Sequence, residues 1–208
     1  MEIIDYKKWS NKATEWGSNY LLDLQNKPVR PNIEPGSVAS LLPDAPPEEA
    51  EDPEVIFSDF EKIVPNAMTH WQHPRFFAYF PSNASVASIV AEQLVNTIAA
   101  QCMLWQTSPA ATEIEEVMVQ WLRSALGLPK HFSGTIHDAA TTATLSAVLT
   151  MRELALDHKG LEKGLFEQKP LRIYSSAQTH SSIDKAVRLS GIGQNNLVKI
   201  KTDNTFAM

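Results

Sequence analysis

Between Tyr6 and Leu24 the apolar positions fall at steps of three and four. Tyr6, Trp9, Ala13, Trp16, Tyr20 and Leu24 form one stripe on a helix. A stripe this rich in rings needs a broad covering surface, from the rest of the molecule or, as one form of that packing, from a second copy. The pattern breaks over residues 26–53. There Pro28, Pro31, Pro35, Pro43, Pro46, Pro47 and Pro53 predict a linker, because proline is excluded from helix interiors. A helix over 54–65 is expected to bury Val55, Phe57, Phe60 and Ile63. Residues 68–85 then concentrate aromatic side chains around breaks at Pro74 and Pro81, which predicts an extended loop. Such a loop covers a core or lines a pocket.

Residues 86–100 carry little charge and predict a mostly buried helix. The clearest helix signal follows. Ser108 caps it, Pro109 fits its first turn, and Glu113, Glu115 and Glu116 load its N-terminal half with negative charge. Ile114, Val117, Met118, Trp121, Leu122 and Leu126 make its buried face, and Gly127 with Pro129 ends it. Beyond it, strand and helix patterns alternate. Residues 134–137 read as a short extended piece, and Asp138, Thr141, Thr142 and Thr144 introduce a helix that runs to about 158. A charged connector over 159–170 leads to the apolar run 171–174, a buried strand ended by Ser175 and Ser176. Ser181 or Ser182 caps a helix that carries Ile183, Ala186 and Val187 on one face and stops at Gly191. A last short strand covers 197–200. This alternation indicates an α/β domain with parallel strands. His180 therefore sits between the C-terminal end of a strand and the start of a helix, at the ligand-binding edge of an open α/β sheet.

Composition narrows the class. The 208 residues suffice for a core, and 43% hydrophobic with 20% charged residues is ordinary for a globular chain. A net charge of −6 argues against a nucleic-acid binder. No apolar run is long enough to span a bilayer, and the N-terminus lacks a signal-peptide pattern. With Cys102 as the sole cysteine there is no internal disulfide, and a cytoplasmic location is expected. Walker, G-x-G-x-x-G and G-x-S-x-G motifs are absent. His70 and His73 lie three apart without nearby cysteines or carboxylates, a poor metal site, and no metal is expected. Residues 137–144 offer small and hydroxyl side chains at a helix start, suited to a phosphate or to ordinary capping. His180 marks a second such turn, structural or catalytic. If both turns share one sheet edge, they face a single phosphate-bearing cofactor.

The blocks H-P-R-F-F-A-Y-F-P-S (73–82), T-S-P-A-A-T-E-I-E (107–115), G-T-I-H-D-A-A-T-T-A-T-L (134–145), Y-S-S-A-Q-T-H-S-S-I-D-K-A (174–186) and D-N-T-F-A-M (203–208) resemble the group II pyridoxal phosphate-dependent amino-acid decarboxylases, especially those acting on aromatic L-amino acids. The resemblance implies a fold type I architecture. Residues 1–85 would be an N-terminal helical segment with the proline-rich linker and a substrate-side aromatic loop. Residues 86–208 would be the first part of the α/β domain that binds pyridoxal 5'-phosphate, in a homodimer-type assembly. By position, His180 matches the histidine that stacks on the pyridine ring near the substrate carboxylate, and Ala140 and Thr141 match the pair that holds the phosphate. Trp71, Tyr79, Phe80, Pro81 and Ser82 match the loop beside the substrate side chain. Gln101 and Met103 match residues that reach the neighbouring subunit's pocket, where polar Gln101 departs from the apolar groups usual for catechol and indole substrates.

The implied activity is decarboxylation of an L-amino acid, an aromatic one by resemblance, to the amine and CO2. The family's Schiff-base lysine, the histidine before it and the aspartate at the pyridine nitrogen lie beyond these blocks. Lys185, Lys199 and Lys201 do not match the context of that lysine. A second polypeptide carrying the rest of the fold is therefore expected. The alternatives are an aldehyde-forming oxidative deaminase with the same cofactor, and a non-catalytic truncated remnant acting in dimerisation through residues 6–24.

Overall fold

The computed structural model describes residues 2–80 and 84–208. Contacts divide the chain into two units, Met1–Ala99 and Ala100–Met208.

In the first unit the ring-rich stripe forms α1, Tyr6–Asp23, and it is covered by α2, Pro53–Ile63. Trp9 meets Phe57 at 6.3 Å, and Trp16 meets Phe60 edge-on at 4.9 Å while stacking on Tyr20 at 5.2 Å. Asp52 caps α2 by accepting from the Glu54 amide (2.9 Å), and Pro53 takes the first turn. Phe57 and Phe60 face α1 as expected, but Val55 is exposed. Two residues from Phe57 is about 200° around a helix, so one covering neighbour cannot bury both. The loop after α2 hangs on two buried histidines. The His70 amide donates to Val29 O (2.9 Å) and its Nδ1 pairs with the Tyr20 hydroxyl (2.7 Å). His73 Nδ1 accepts from the Arg75 amide (2.9 Å), which leaves its Nε2 to donate to Gln25 O (3.2 Å). α3, Val86–Ile98, opens with a reciprocal cap between Ser85 and Ser88. Its apolar residues, Leu94 among them, are exposed rather than buried as expected. The helix reaches α1 through polar side chains instead: the Tyr6 hydroxyl bonds Thr97 Oγ1 (3.1 Å), and Gln93 donates to Ser10.

In the second unit α4, Pro109–Ala125, follows Ser108, whose side chain makes no capping bond. The expected buried face of α4 is uncovered; Trp121 is 65% exposed. Periodicity tells which side of a helix seeks cover, not whether the covering element lies in the same stretch of chain. Residues 134–137 form no strand and lie along α4, because Glu115 accepts from Thr135 Oγ1 (2.8 Å) and the Ile136 amide (2.7 Å).

α5, Ala140–Ala155, ends before two left-handed residues, Asp157 and His158, and a short α6, Lys159–Lys163, follows. β1, Ile173–Ser176, pairs in parallel with β2, Leu197–Ile200, in the register Ile173↔Leu197 to Ser176↔Ile200. The strand thus lies two residues later than expected and includes both serines. A serine whose backbone is held by a ladder no longer spends its hydroxyl on ending the strand. Between the strands runs α7, Ser182–Leu189. Val148 of α5, Ala186 and Val187 of α7, Ile192 and Leu197 form the core, with Leu145, Leu171, Ile173 and Ile183 packed around it. Gly191 stops α7 at φ +77°, and a Cβ there would sit 2.9 Å from Leu165 Cδ1, so both backbone and space call for glycine. Arg152 Nη1 donates to Ser190 O (2.6 Å), tying the C-terminal ends of α5 and α7.

Candidate functional site

The first part of the site is the start of α5. Its N-cap is Ala139, in an extended conformation, and no side chain closes the end. The amides of Ala140, Thr141 and Thr142 therefore have no acceptor among the described residues. The hydroxyls divide unevenly. Thr142 Oγ1 lies 2.6 Å from both Asp138 Oδ1 and Ala139 O, and Thr144 Oγ1 donates to Ala140 O (2.8 Å). Thr141 Oγ1 has no protein partner among the described residues, so it stands available beside the free amides at the positive end of the helix. This donor set fits a phosphate. Asp138 moderates it. The Thr142 hydroxyl, then the Ala139 amide and the nearby His137, hold its carboxyl below the usual range, which keeps a negative charge beside the cradle.

The second part is the turn after β1. Ser176 O accepts from Thr179 Oγ1 (2.9 Å), and His180 O accepts from the Ile183 amide (3.2 Å). The Ser182 amide donates to His180 Nδ1 (3.2 Å), so the neutral ring carries its proton on Nε2. The imidazole is exposed but anchored at one nitrogen, which suits a ring that stacks on a flat cofactor.

The two turns are joined. Thr144, four residues into the helix from Ala140, reaches Ser182 Oγ with its own Oγ1 at 3.3 Å, and Ser182 is two residues past His180. Lys199 meets Asp184 at 3.0 Å and holds α7 against β2. The structure thus brings the helix start at Ala140 and Thr141 to the turn of His180. The aromatic loop is a separate group in the first unit. Trp71 stacks on Tyr79 (5.6 Å, 19°) and packs against Phe76 (5.0 Å). Tyr79 is left-handed (φ 59°), a strained choice for an aromatic residue, and Phe80 is 99% exposed. Pro81 and Ser82 lie outside the described residues. Gln101 and Met103 occupy the turn before α4, where Thr107 Oγ1 donates to Gln101 O (2.7 Å) and the Met103 side chain is exposed. Sequence reasoning missed Ala139 as the N-cap and Ser182 as the anchor of His180. An alanine where a capping side chain belongs was the readable sign of the first; the second is a bond from a backbone amide two residues on, which no side-chain pattern marks.

Residues 35–208 match the conserved domain of the pyridoxal-dependent decarboxylases. The chain belongs to that family. It is 34% identical over 221 residues to the aromatic-L-amino-acid decarboxylase of Sus scrofa, covering all of this chain and 45% of that protein. It is 35% identical over 217 residues to the 4-hydroxyphenylacetaldehyde synthase of Rhodiola rosea, covering 43% of it. The crystal structure of that synthase aligns with a TM-score of 0.91 over the whole chain and 45% of the synthase, at 33% identity. The crystal structure of Oryza sativa TDC with PLP and tryptamine aligns at 0.90 over 99% of this chain and 43% of that one, at 32% identity. This member of the pyridoxal-dependent decarboxylases therefore has the expected fold type I architecture, and it spans about 45% of the length of the relatives it matches.

Among the described residues no helix is long and apolar enough to cross a membrane.

Proposed function

We propose that this chain carries the imidazole turn and the phosphate cradle of a pyridoxal phosphate-dependent decarboxylase that converts an aromatic L-amino acid to its amine and CO2. The observation that carries the reading is the join between the uncapped start of α5 and the His180 turn through Thr144 and Ser182. The amides of Ala140 and Thr141, with the Thr141 hydroxyl, would hold the phosphate. The His180 ring, fixed by the Ser182 amide, would lie on the pyridine face and keep the substrate carboxylate in line. When bound, the pyridoxal ring supplies the sink for the electron pair left as CO2 departs. Trp71, Tyr79, Phe80, Pro81 and Ser82 would bound the substrate side chain and exclude water, which strengthens electrostatic interactions inside. Gln101 and Met103 would reach the pocket of the neighbouring subunit in a homodimer-type assembly.

The Schiff-base lysine that the resemblance implies would lie in the part of the relatives' length that this stretch does not span. That part is a complementary polypeptide or a continuation of this one, and mass spectrometry of purified material separates the two. The test of function is product analysis over a panel of amino acids, with His180→Ala beside the wild type. Amine and CO2 from the wild type, with a loss in the variant of at least a hundredfold, is expected. Full activity in His180→Ala would remove the role assigned to the imidazole. A second reading, aldehyde-forming oxidative deamination, is favoured by the likeness to the Rhodiola rosea synthase, and an aldehyde product in place of the amine would select it.

A further inference from the structure

The Ser182 hydroxyl is a buried polar group with a single partner. Ser182 is 5% exposed, at the first position of α7, and its Oγ meets Thr144 Oγ1 at 3.3 Å. Burial of a hydroxyl is costly unless it is hydrogen-bonded, so this contact adds to the packing of Val148 against Ala186 and Val187 in setting where the start of α7 lies against α5. Each end of the contact leads to one half of the site. Thr144 Oγ1 also donates to Ala140 O (2.8 Å), at the cradle, and the amide of Ser182 donates to His180 Nδ1 (3.2 Å). A short path therefore runs from Ala140 O through two hydroxyls and one amide to the imidazole.

We infer that Thr144 and Ser182 are positioning residues that set the distance from the phosphate cradle to the His180 ring. The inference rests on the decarboxylase reading above, because the spacing matters only for a ligand that touches both corners. The partners of the two hydroxyls are each other and Ala140 O, so they would act on the ligand only indirectly. Their loss acts through the placement of His180, so a ligand with both ring and phosphate feels it and inorganic phosphate, held at the cradle alone, does not.

The test compares two probes on the protein in the assembly in which it is purified. Dissociation constants for pyridoxal 5'-phosphate and for inorganic phosphate are measured for the wild type, Ser182→Ala, Thr144→Val and the double variant, with Thr144→Ser as the conservative control. Each single variant is expected to weaken pyridoxal phosphate about fivefold, the usual reach of one net hydrogen bond, while inorganic phosphate changes less than twofold. The double variant should be no weaker than Thr144→Val alone, because that substitution already removes the contact between the two hydroxyls. Thr144→Ser should bind as the wild type does. Equal losses for the two probes, or no loss for either, would overturn the positioning role and leave the decarboxylase reading standing. A wild type that binds inorganic phosphate but not pyridoxal phosphate would overturn both. If Thr144→Val fails to fold, Ser182→Ala decides the matter, supported by the ring nitrogen resonances of His180. In the wild type these should show Nδ1 as an acceptor, and in Ser182→Ala their hydrogen-bond shift should shrink; an unchanged ring spectrum would count against the proposal.

Discussion

Replacing Thr141 with valine removes one hydroxyl and little else. Valine keeps the branched shape and a similar helix propensity, and Thr141 Oγ1 supports no other protein group among the described residues. Three amides remain in the cradle, so phosphate binding should weaken without vanishing. A hydrogen bond to a charged group contributes about 1.5–3 kcal/mol, which is roughly 10- to 150-fold in affinity. The partly solvated position of Thr141 favours the lower end, and about 20-fold weaker binding of pyridoxal 5'-phosphate is expected. The assay is a fluorescence or calorimetric titration with pyridoxal phosphate and, in parallel, with pyridoxal, which lacks the phosphate. Pyridoxal should bind the variant and the wild type alike. Thr142→Val is the control, since the Thr142 hydroxyl is already engaged by Asp138 and Ala139 and should change pyridoxal phosphate binding less than about threefold. If Thr141→Val binds pyridoxal phosphate as tightly as the wild type, or loses pyridoxal equally, the start of α5 is not the phosphate site.

Three further outcomes follow from the charges and hydrogen bonds. Asp138→Asn removes a negative charge beside the cradle, so inorganic phosphate should bind more tightly by titration; unchanged or weaker binding would remove Asp138 from the account. Burial, followed by the charges of Lys27 and His73, pushes the His70 imidazole below its ordinary pKa, so the folded state prefers the neutral ring. Its contribution to stability is present in full above the unfolded value near 6.5 and is lost as pH falls below it, so thermal unfolding of the wild type should shift down between pH 7 and 5.5. Tyr20→Phe, which removes the hydroxyl at Nδ1, should destabilise by about 1 kcal/mol at pH 7.

Local signals served the second unit well. The start of α7 just after Ser181, the stop at Gly191 and the final strand at 197–200 are short-range features, although the Ser181 side chain makes no capping bond. So is the placement of His180 between a strand and a helix. What escaped the sequence depends on distant partners. Ser175 and Ser176 belong to β1 because β2, more than twenty positions on, holds their backbone in register. The periodicity of α3 and α4 marks their apolar faces but not their exposure, since it carries no information about what lies opposite. Val55 failed for a related reason, sitting on the side of α2 away from α1. The site was legible as two separate turns, each readable as ordinary capping. Their union through Thr144 and Ser182 is a tertiary contact, and the position-by-position likeness to the decarboxylases was the only sequence signal that linked them.

The central claim is that one molecule of pyridoxal phosphate touches both turns at once. Titrating it into isotope-labelled protein, in the assembly in which it is purified, while following the Thr141 amide and the His180 ring nitrogens by NMR tests this directly. The two sets of resonances should shift together with one midpoint. Movement of the Thr141 amide with a silent His180 ring, or two distinct midpoints, would contradict it.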